Sequence, residues 1–529
     1  MHRETFGGVH IFRSHPQTVR FFRNAARTHL LSKFHVGDYP DSDFANRILQ
    51  HQFEFFSKSL TALVPKLVTR DALEFVLFQY DQAGKILHAK GIKNPAEVER
   101  WLGIEGNFRR ALKYLAEMIC LLGESGEPKV TRDESFAAMD AGILCAEAVV
   151  ELAELSHRVH GVFAGHASAR VFPAGEPVDF EVRIGGPFEG YDQTMFTRIK
   201  RDRENRHRFI VGHQFDLDTE QHRQVLNPTF EACFGWPYDR FLDVLGKTIR
   251  GAQPAPNAFP TLFIHRGKLV QTFVDQGAPK EGIERIISGF TLSPQRMRQE
   301  KRVVWNPKQE HRAYRRGFFE FPHETGPHLA FSRTMAQESF IHLVNTICYK
   351  KLPEEWRHPT LNQAQESLSS RASVWFEETV ARNMSALGFQ GARAKERIGT
   401  DTRSVKIPSD VGEIDYLGFH PKERLLVIAE AKMSNVGLEG KLWRDDLEDF
   451  VRRRNSYAEK FRRKIAWVSA CRSEIGIALT GAKVERFAAV MVTLYPCIAR
   501  MFITDFPCVS IAELMLDYRA KGEWPYQPA

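Results

Sequence analysis

The sequence predicts an α/β carboxy-terminal domain, a mixed sheet flanked by helices, preceded by an α+β amino-terminal region. Three observations lead there. The chain has 529 residues, more than the roughly 250–300 that a single core supports, so two or three domains are expected. The texture shifts near residue 159, from helix-spaced apolar residues to short β-prone runs. Past residue 365 the elements read α-β-β-β-α-β-β-α, an alternation that builds α/β domains.

Residues 1–158 are expected to form a mainly helical domain. In residues 108–122 and 137–155 apolar side chains recur at three- and four-residue spacing, with Gly and Pro sparse, as one helix stripe requires. Residues 159–350 are expected to form a mixed α+β domain. The β-prone runs 178–184 and 261–274 are interrupted by GG, GP and PAP signals, and the second reads as a hairpin turning at Arg266-Gly267. Residues 334–349 read as a helix. The run 351–365, KLPEEWRHPTLNQAQ, is rich in Pro, Glu and polar residues and reads as a linker.

Residues 366–529 make the last domain. Its first helix, 370–387, is stopped by Gly388. Residues 390–398 read as a strand. Residues 411–420 and 425–433 read as two strands joined by the turn 421–424. One long amphipathic helix covers 443–468. Strands at 487–494 and 500–504 and a closing helix at 511–518 complete the order.

Composition narrows the function. A net charge of +8 suits an anionic partner such as nucleic acid. The seven cysteines, Cys120, Cys145, Cys233, Cys348, Cys471, Cys497 and Cys508, are scattered and never form CxxC. That argues against a disulfide framework or a thiolate zinc site. The start of the chain has no signal-peptide-like apolar stretch, and no apolar run approaches the ~20 residues that span a bilayer. A cytoplasmic protein without a membrane partner is expected. No GxxxxGK[ST] or GxSxG occurs, which leaves no motif for an ATPase or a serine hydrolase.

The chemistry concentrates on the two joined strands. Side chains alternate faces along a strand, so Asp415, Leu417 and Phe419 share one face, and Ile428, Glu430 and Lys432 share another. If Phe419 pairs with Leu426, Asp415 falls opposite Glu430, with Cβ atoms about 4.5–5.5 Å apart. Glu413 then falls opposite Lys432. Two carboxylates that close repel each other unless one takes a proton or both share a cation. Oxygen ligands of this kind suit Mg²⁺, and a lysine alongside can orient or activate water. On the helix 370–387, Glu377 falls on the Val380/Met384 side, toward the core. It is the candidate third acid. A surface hairpin joined by an ion pair is the plain alternative, but LLVIAEA reads as a buried strand, and unpaired buried carboxylates are costly.

The runs FEETVARNMSALGF, GEIDYLGF and LLVIAEAK resemble the PD-(D/E)XK, or restriction-endonuclease-like, nuclease superfamily, closest to resolvase-like and Mrr-like members. Glu377, eleven residues before Gly388, matches the helix glutamate, Asp415 the motif aspartate, and Glu430 and Lys432 the E-x-K pair. Ile414 stands where the family has proline. The resemblance covers about residues 366–518. It implies a restriction-endonuclease-like fold and Mg²⁺-dependent cleavage of nucleic acid, usually DNA, with Mn²⁺ as a substitute. The metal would be held by Asp415, Glu430, the Ala431 carbonyl and Glu377. Lys460 is the candidate for the Gln or Lys that the later helix often brings to the site.

These readings make the chain a DNA endonuclease whose amino-terminal region targets or regulates it, holds a protein partner or forms a homo-oligomer. A non-cutting nucleic-acid-binding or scaffold protein of the same fold, or an RNA nuclease, are the alternatives. The basic residues Arg452, Arg453, Arg454, Lys460, Arg462, Arg463 and Lys464 suit either a DNA face or a solvated helix matched to its dipole. The basic runs 200–208 and 296–316, the latter with Trp305, His311 and Tyr314, read as solvated loops or as backbone contacts. Neither His157, His160 and His166 nor the His213 group has a metal spacing.

Overall fold

The computed structural model describes residues 1–86, 95–123, 130–215, 218–251, 261–299, 313, 315–321, 323, 325–349, 352–400, 403–434, 439–481 and 483–527. The chain is mixed α/β with mixed sheets. It forms two compact units, and both draw on separated stretches of sequence. The first contains Met1–Ser156, Ala169–Glu181 and Asp216–Leu368, and the second His157–Ser168, Val182–Phe215 and Ser369–Ala529. The expected order of domains 1–158, 159–350 and 366–529 therefore gives way to an interleaved one. The expected linker 351–365 is not a loop. Trp356 is fully buried there, and a helix already starts at Pro359, a residue pre-set for the first helical turn.

In the first unit the helices Ser42–Leu63, Thr69–Ile86, Pro95–Leu122 and Arg132–Ser156 pack together, as the apolar spacing predicts. A hairpin of His2–Phe6 and Val9–Arg13 precedes them. Further along, a four-stranded sheet contains Leu262–His265, His328–Phe331, Phe318–Phe321 and Thr291–Leu292, in that spatial order. The expected hairpin over 261–274 is instead a strand running directly into the helix Arg266–Val274. His265 caps that helix by accepting from the Lys268 backbone N at 3.2 Å, so the local cap outweighs the Arg-Gly turn signal. In the basic run 296–316, residues 300–312 and 314 lie outside the described residues. Arg316 is fully buried and paired with Glu355 at 2.7 Å, not solvated.

The second unit is built on a five-stranded sheet. Its strands are β1 (Gln390–Ala394), β2 (Ile414–His420), β3 (Leu425–Lys432), β4 (Arg486–Thr493) and β5 (Cys508–Ser510), neighbours in sequence order. The β1/β2 and β2/β3 pairs are antiparallel, and β3/β4 and β4/β5 are parallel. The helices that matter to the site are α1 (Tyr191–Asn205), α2 (Pro359–Ala386), α3 (Gly440–Leu447), α4 (Tyr457–Ala470) and α5 (Ile511–Lys521). Leu425, Val427, Ala429 and Ala431 of β3 face a core with Phe376, Val380 and Met384 of α2 and Leu514 and Met515 of α5. Leu426 and Ile428 face the opposite core with Trp443, Leu447 and Phe461 of α3 and α4. Burial on both faces explains the unbroken apolar run of β3.

Several boundaries differ from expectation. The 390–398 strand divides into β1 and Arg397–Thr400, which pairs with Arg403–Lys406. The helix expected over 443–468 breaks after a π-helical turn at Glu448–Arg452. Asn455 there adopts φ 61°, and Ser456 restarts the helix by capping the Glu459 N. Residues 500–504 contribute no strand; a short 3-10 turn, Ile498–Met501, stands there and β5 forms later. Gly388 does end α2, with φ 96°, and a Cβ on it would lie 2.9 Å from His420 Nε2.

The middle of the chain enters both cores of this unit. Val162, Phe163, Phe188, Tyr191 and Met195 pack into the α3/α4 side, and Phe209 into the α2/α5 side. The basic run 200–208 is the end of α1 and a 3-10 turn, not a loop. On α1 the buried Arg198 donates to both carboxylate oxygens of buried Glu513, at 2.6 and 3.0 Å.

Candidate active site

The β2/β3 register pairs Phe419 with Leu426, Leu417 with Ile428 and Tyr416 with Ala429. This is the predicted alignment, and it carries Asp415 toward Glu430. Both carboxylates are buried, at 8% and 3% exposure, where a charge survives only with partners. The partners are lysines. Lys432 Nζ lies 3.0 Å from Asp415 Oδ2, 2.8 Å from Glu430 Oε1 and 3.0 Å from the Ala431 carbonyl oxygen. The Ala431 N–H donates to the same Asp415 oxygen at 2.9 Å. Burial opposes the ammonium charge, but Glu430 and then Asp415 outweigh it and hold Lys432 protonated well above its ordinary range. Its Nζ also lies 5.5 Å from the centre of the Tyr457 ring.

A second lysine completes the cluster. Lys464 of α4 is buried and donates to Glu430 Oε2 at 2.6 Å. Lys460, the candidate from the sequence, is exposed one turn away and does not take this place. The signal available in the sequence was the spacing of Phe461, Lys464 and Val468, which places a lysine on the apolar stripe of α4.

Glu377 is brought near the cluster but not into it. Its carboxylate makes an ion pair with Arg393 Nη1 at 3.0 Å, yet Oε2 is buried with no well-aligned hydrogen bond. Burial, then the negative charge of Asp415, pushes the Glu377 carboxyl up to about 7, with Arg393 and Lys432 opposing. Glu413 does not pair with Lys432; it meets Arg393. Arg393, like Lys464, has no place in the site expected from the sequence. Between the pairs Ala392/Leu417 and Ala394/Ile414 the β1/β2 register slips, so Asp415 and Tyr416 together face the single Arg393. Such a bulge re-aims side chains, and no local sequence signal marks it.

Among the described residues no group of three or more His, Cys, Asp and Glu side chains is gathered as a metal centre. Of the four ligands expected from the sequence, Asp415, Glu430 and the Ala431 carbonyl converge on Lys432 Nζ, and Glu377 is paired with Arg393. These three do fit a hard cation. Their oxygens already converge on one cationic atom, and carboxylate and carbonyl oxygens are what Mg²⁺ and Mn²⁺ accept.

Beyond Lys432, Ser434 ties the strand ends together. Its Oγ donates to the Tyr495 carbonyl at 2.9 Å and accepts from the Tyr495 N at 3.1 Å. Comparison with family models, with curated proteins and with solved structures gives no match to this chain. No described helix is long and apolar enough to cross a membrane.

Proposed function

We propose that the second unit is a metal-dependent nuclease of the restriction-endonuclease-like kind, cleaving DNA internally, with the first unit selecting or restraining its target. The observation that carries this reading is the convergence of Asp415 Oδ2, Glu430 Oε1 and the Ala431 carbonyl on a single cationic atom at 2.8–3.0 Å. Asp415, Glu430 and Ala431 would hold Mg²⁺, or Mn²⁺ in its place. When bound, the ion supplies Lewis-acid stabilisation of charge on a phosphate and a more acidic water.

The protein groups then have separate tasks. Lys432 gives up its place among the three oxygens, and its ammonium, still tethered beside them, orients the attacking water. Lys464 keeps Glu430 fixed by holding its second oxygen, so the carboxylate need not reorganise during reaction. Glu377, whose proton affinity is raised by burial and by Asp415, accepts a proton or a water hydrogen bond at the rim. Arg393 offers positive charge to a phosphate at that rim once released from Glu413.

A second reading has its own support. Lys432 and Lys464 together neutralise both buried carboxylates, as a purely structural ion cluster in a non-cutting scaffold would require. One experiment separates the two. The purified protein is incubated with plasmid, linear and branched DNA and with single-stranded RNA, in Mg²⁺, Mn²⁺ or EDTA. Cleavage is expected with either metal and lost in EDTA, and Asp415→Ala and Lys432→Ala are expected to lower the rate by about 10²-fold or more. Cutting that survives EDTA or both substitutions sinks the mechanism. Cutting confined to RNA reassigns the substrate, and no cutting under any condition favours the scaffold.

A further inference from the structure

The first unit carries a cavity of about 420 Å³, within the ~300–1,000 Å³ typical of small-ligand sites. Three neighbouring strands assemble its wall. His265 pairs with His328 across one strand pair, and His328 pairs with Phe321 across the next. His323 follows two residues after Phe321. The imidazole centroids lie 5.1 Å apart for His265 and His328 and 4.5 Å apart for His323 and His328. Arg70 and Lys268 add cations to the lining, and Phe263 and Phe321 add rings 6.4 Å apart.

The imidazoles are held in fixed orientations. His328 Nδ1 meets the Gly326 carbonyl at 2.9 Å, and His265 Nε2 meets the Thr325 carbonyl at 2.8 Å. His323 Nδ1 accepts from the Thr325 N at 3.3 Å. Positive and protonatable groups crowd together here with no carboxylate among the described lining residues; Arg70 is paired from behind with Glu74 at 3.0 Å, which leaves Lys268 and the imidazoles as the groups without a carboxylate in the lining. Burial first, and among its neighbours the His323 and His265 rings, lower the affinity of His328 for a proton, a crowding that an anion would relieve. A second cavity of the same unit makes the contrast. It is lined by Arg266 and Arg296, but also by Glu320 and Glu355, and Arg266 is paired with that Glu320. Its charges are matched internally.

We propose that the histidine cavity binds a nucleoside monophosphate group, its phosphate met by Lys268, Arg70 and the His323 and His328 imidazoles and its base stacked on Phe321, with Phe263, which stands perpendicular to Phe321 and under the Arg70 guanidinium, at its edge. Charge-assisted contacts suit the phosphate, and an aromatic face accepts any nucleobase. The group could be a free mononucleotide or the phosphorylated end of a strand. The inference does not depend on the nuclease reading, because it uses none of the carboxylate cluster.

The test is titration calorimetry on the full chain, in EDTA and low salt. The probes are adenosine 5′-monophosphate, adenosine, inorganic phosphate, and single-stranded oligonucleotides with and without a 5′-phosphate. Saturable binding of the mononucleotide is expected, with adenosine and phosphate each about tenfold weaker. Lys268 and His323 are exposed, so the double variant Lys268→Ala, His323→Ala should fold, and it should weaken the mononucleotide about tenfold. Phe321→Leu should weaken it several-fold, and Asp415→Asn should leave it unchanged. Tighter binding of the phosphorylated oligonucleotide than of the mononucleotide identifies a strand end as the source, and the reverse identifies the free nucleotide. The proposal is overturned if the mononucleotide does not saturate, if phosphate alone binds as tightly, if the double variant binds normally, or if Asp415→Asn abolishes binding.

Discussion

Buried Asp415 and Glu430 keep their charge because Lys432 lies 3.0 and 2.8 Å from them, the pairing that a buried carboxylate requires. The facing of Asp415 and Glu430 follows from period two and a four-residue turn, and the register agrees. The place of Lys432, between both carboxylates, needed three distances. Glu377 was recognised as an inward acid, but its partner Arg393 was not, because a bulge in the β1/β2 pairing turns that arginine to it. Glu377 gives a signed pH prediction. Its folded-state pKa of about 7 lies above the ordinary 4.5, so the folded chain binds more protons than the unfolded chain between those values. Glu377 therefore lowers stability as pH rises through that window. Urea denaturation at about pH 5 and about pH 8 should show a shallower loss of stability in Glu377→Gln than in the natural chain. Equal slopes would mean that this carboxyl does not hold its proton on folding.

At the scale of elements, strands and helices with strong periodic patterns were readable: β2, β3, β4 and the core of α2. Errors clustered where local chemistry competes with the pattern. His265 capping turned an expected hairpin into a strand followed by a helix. Asn455 and Ser456 break a helix whose apolar stripe is continuous in the sequence, and the restart sets the height at which Lys464, not Lys460, meets Glu430. The helix α1 supplies an element-scale prediction. Arg198→Ala strands buried Glu513 without its bidentate partner and should cost about 3–5 kcal/mol. Arg201→Ala, on the same helix, removes a 2.9 Å pair with Asp517 in which the arginine is 42% exposed, and should cost about 0–1 kcal/mol. Thermal and denaturant unfolding of the two variants compares them directly. Equal losses would show that α1 does not hold the unit through Arg198.

At the scale of the whole molecule, the sequence suggested consecutive domains and the fold interleaves them. A fragment of residues 366–529 should therefore not fold as the full unit does. It lacks Phe163, Phe188, Tyr191, Met195 and Phe209, all buried in its two cores, and each such side chain contributes about 1.5–3 kcal/mol of burial. The fragment should show weak near-ultraviolet dichroism, dye binding and a broad melt. Supplying residues 157–215 on the same chain should restore a cooperative transition. A sharp transition in the shorter fragment would sink the interleaved description of this unit.

The sequence by itself determined a mixed α/β chain, a doubly buried β3, and two carboxylates and a lysine on one face of two paired strands, β2 and β3. These follow from periods of two and 3.6 residues, which short stretches of chain carry within themselves. Only the tertiary structure decided that residues 157–215 complete the second unit, that Lys464 shares Glu430, and that Arg393 draws Glu377 aside. The Arg198–Glu513 contact joins positions 315 residues apart, and a pairing at that separation leaves no periodic trace, because packing between segments and not local pattern selects it.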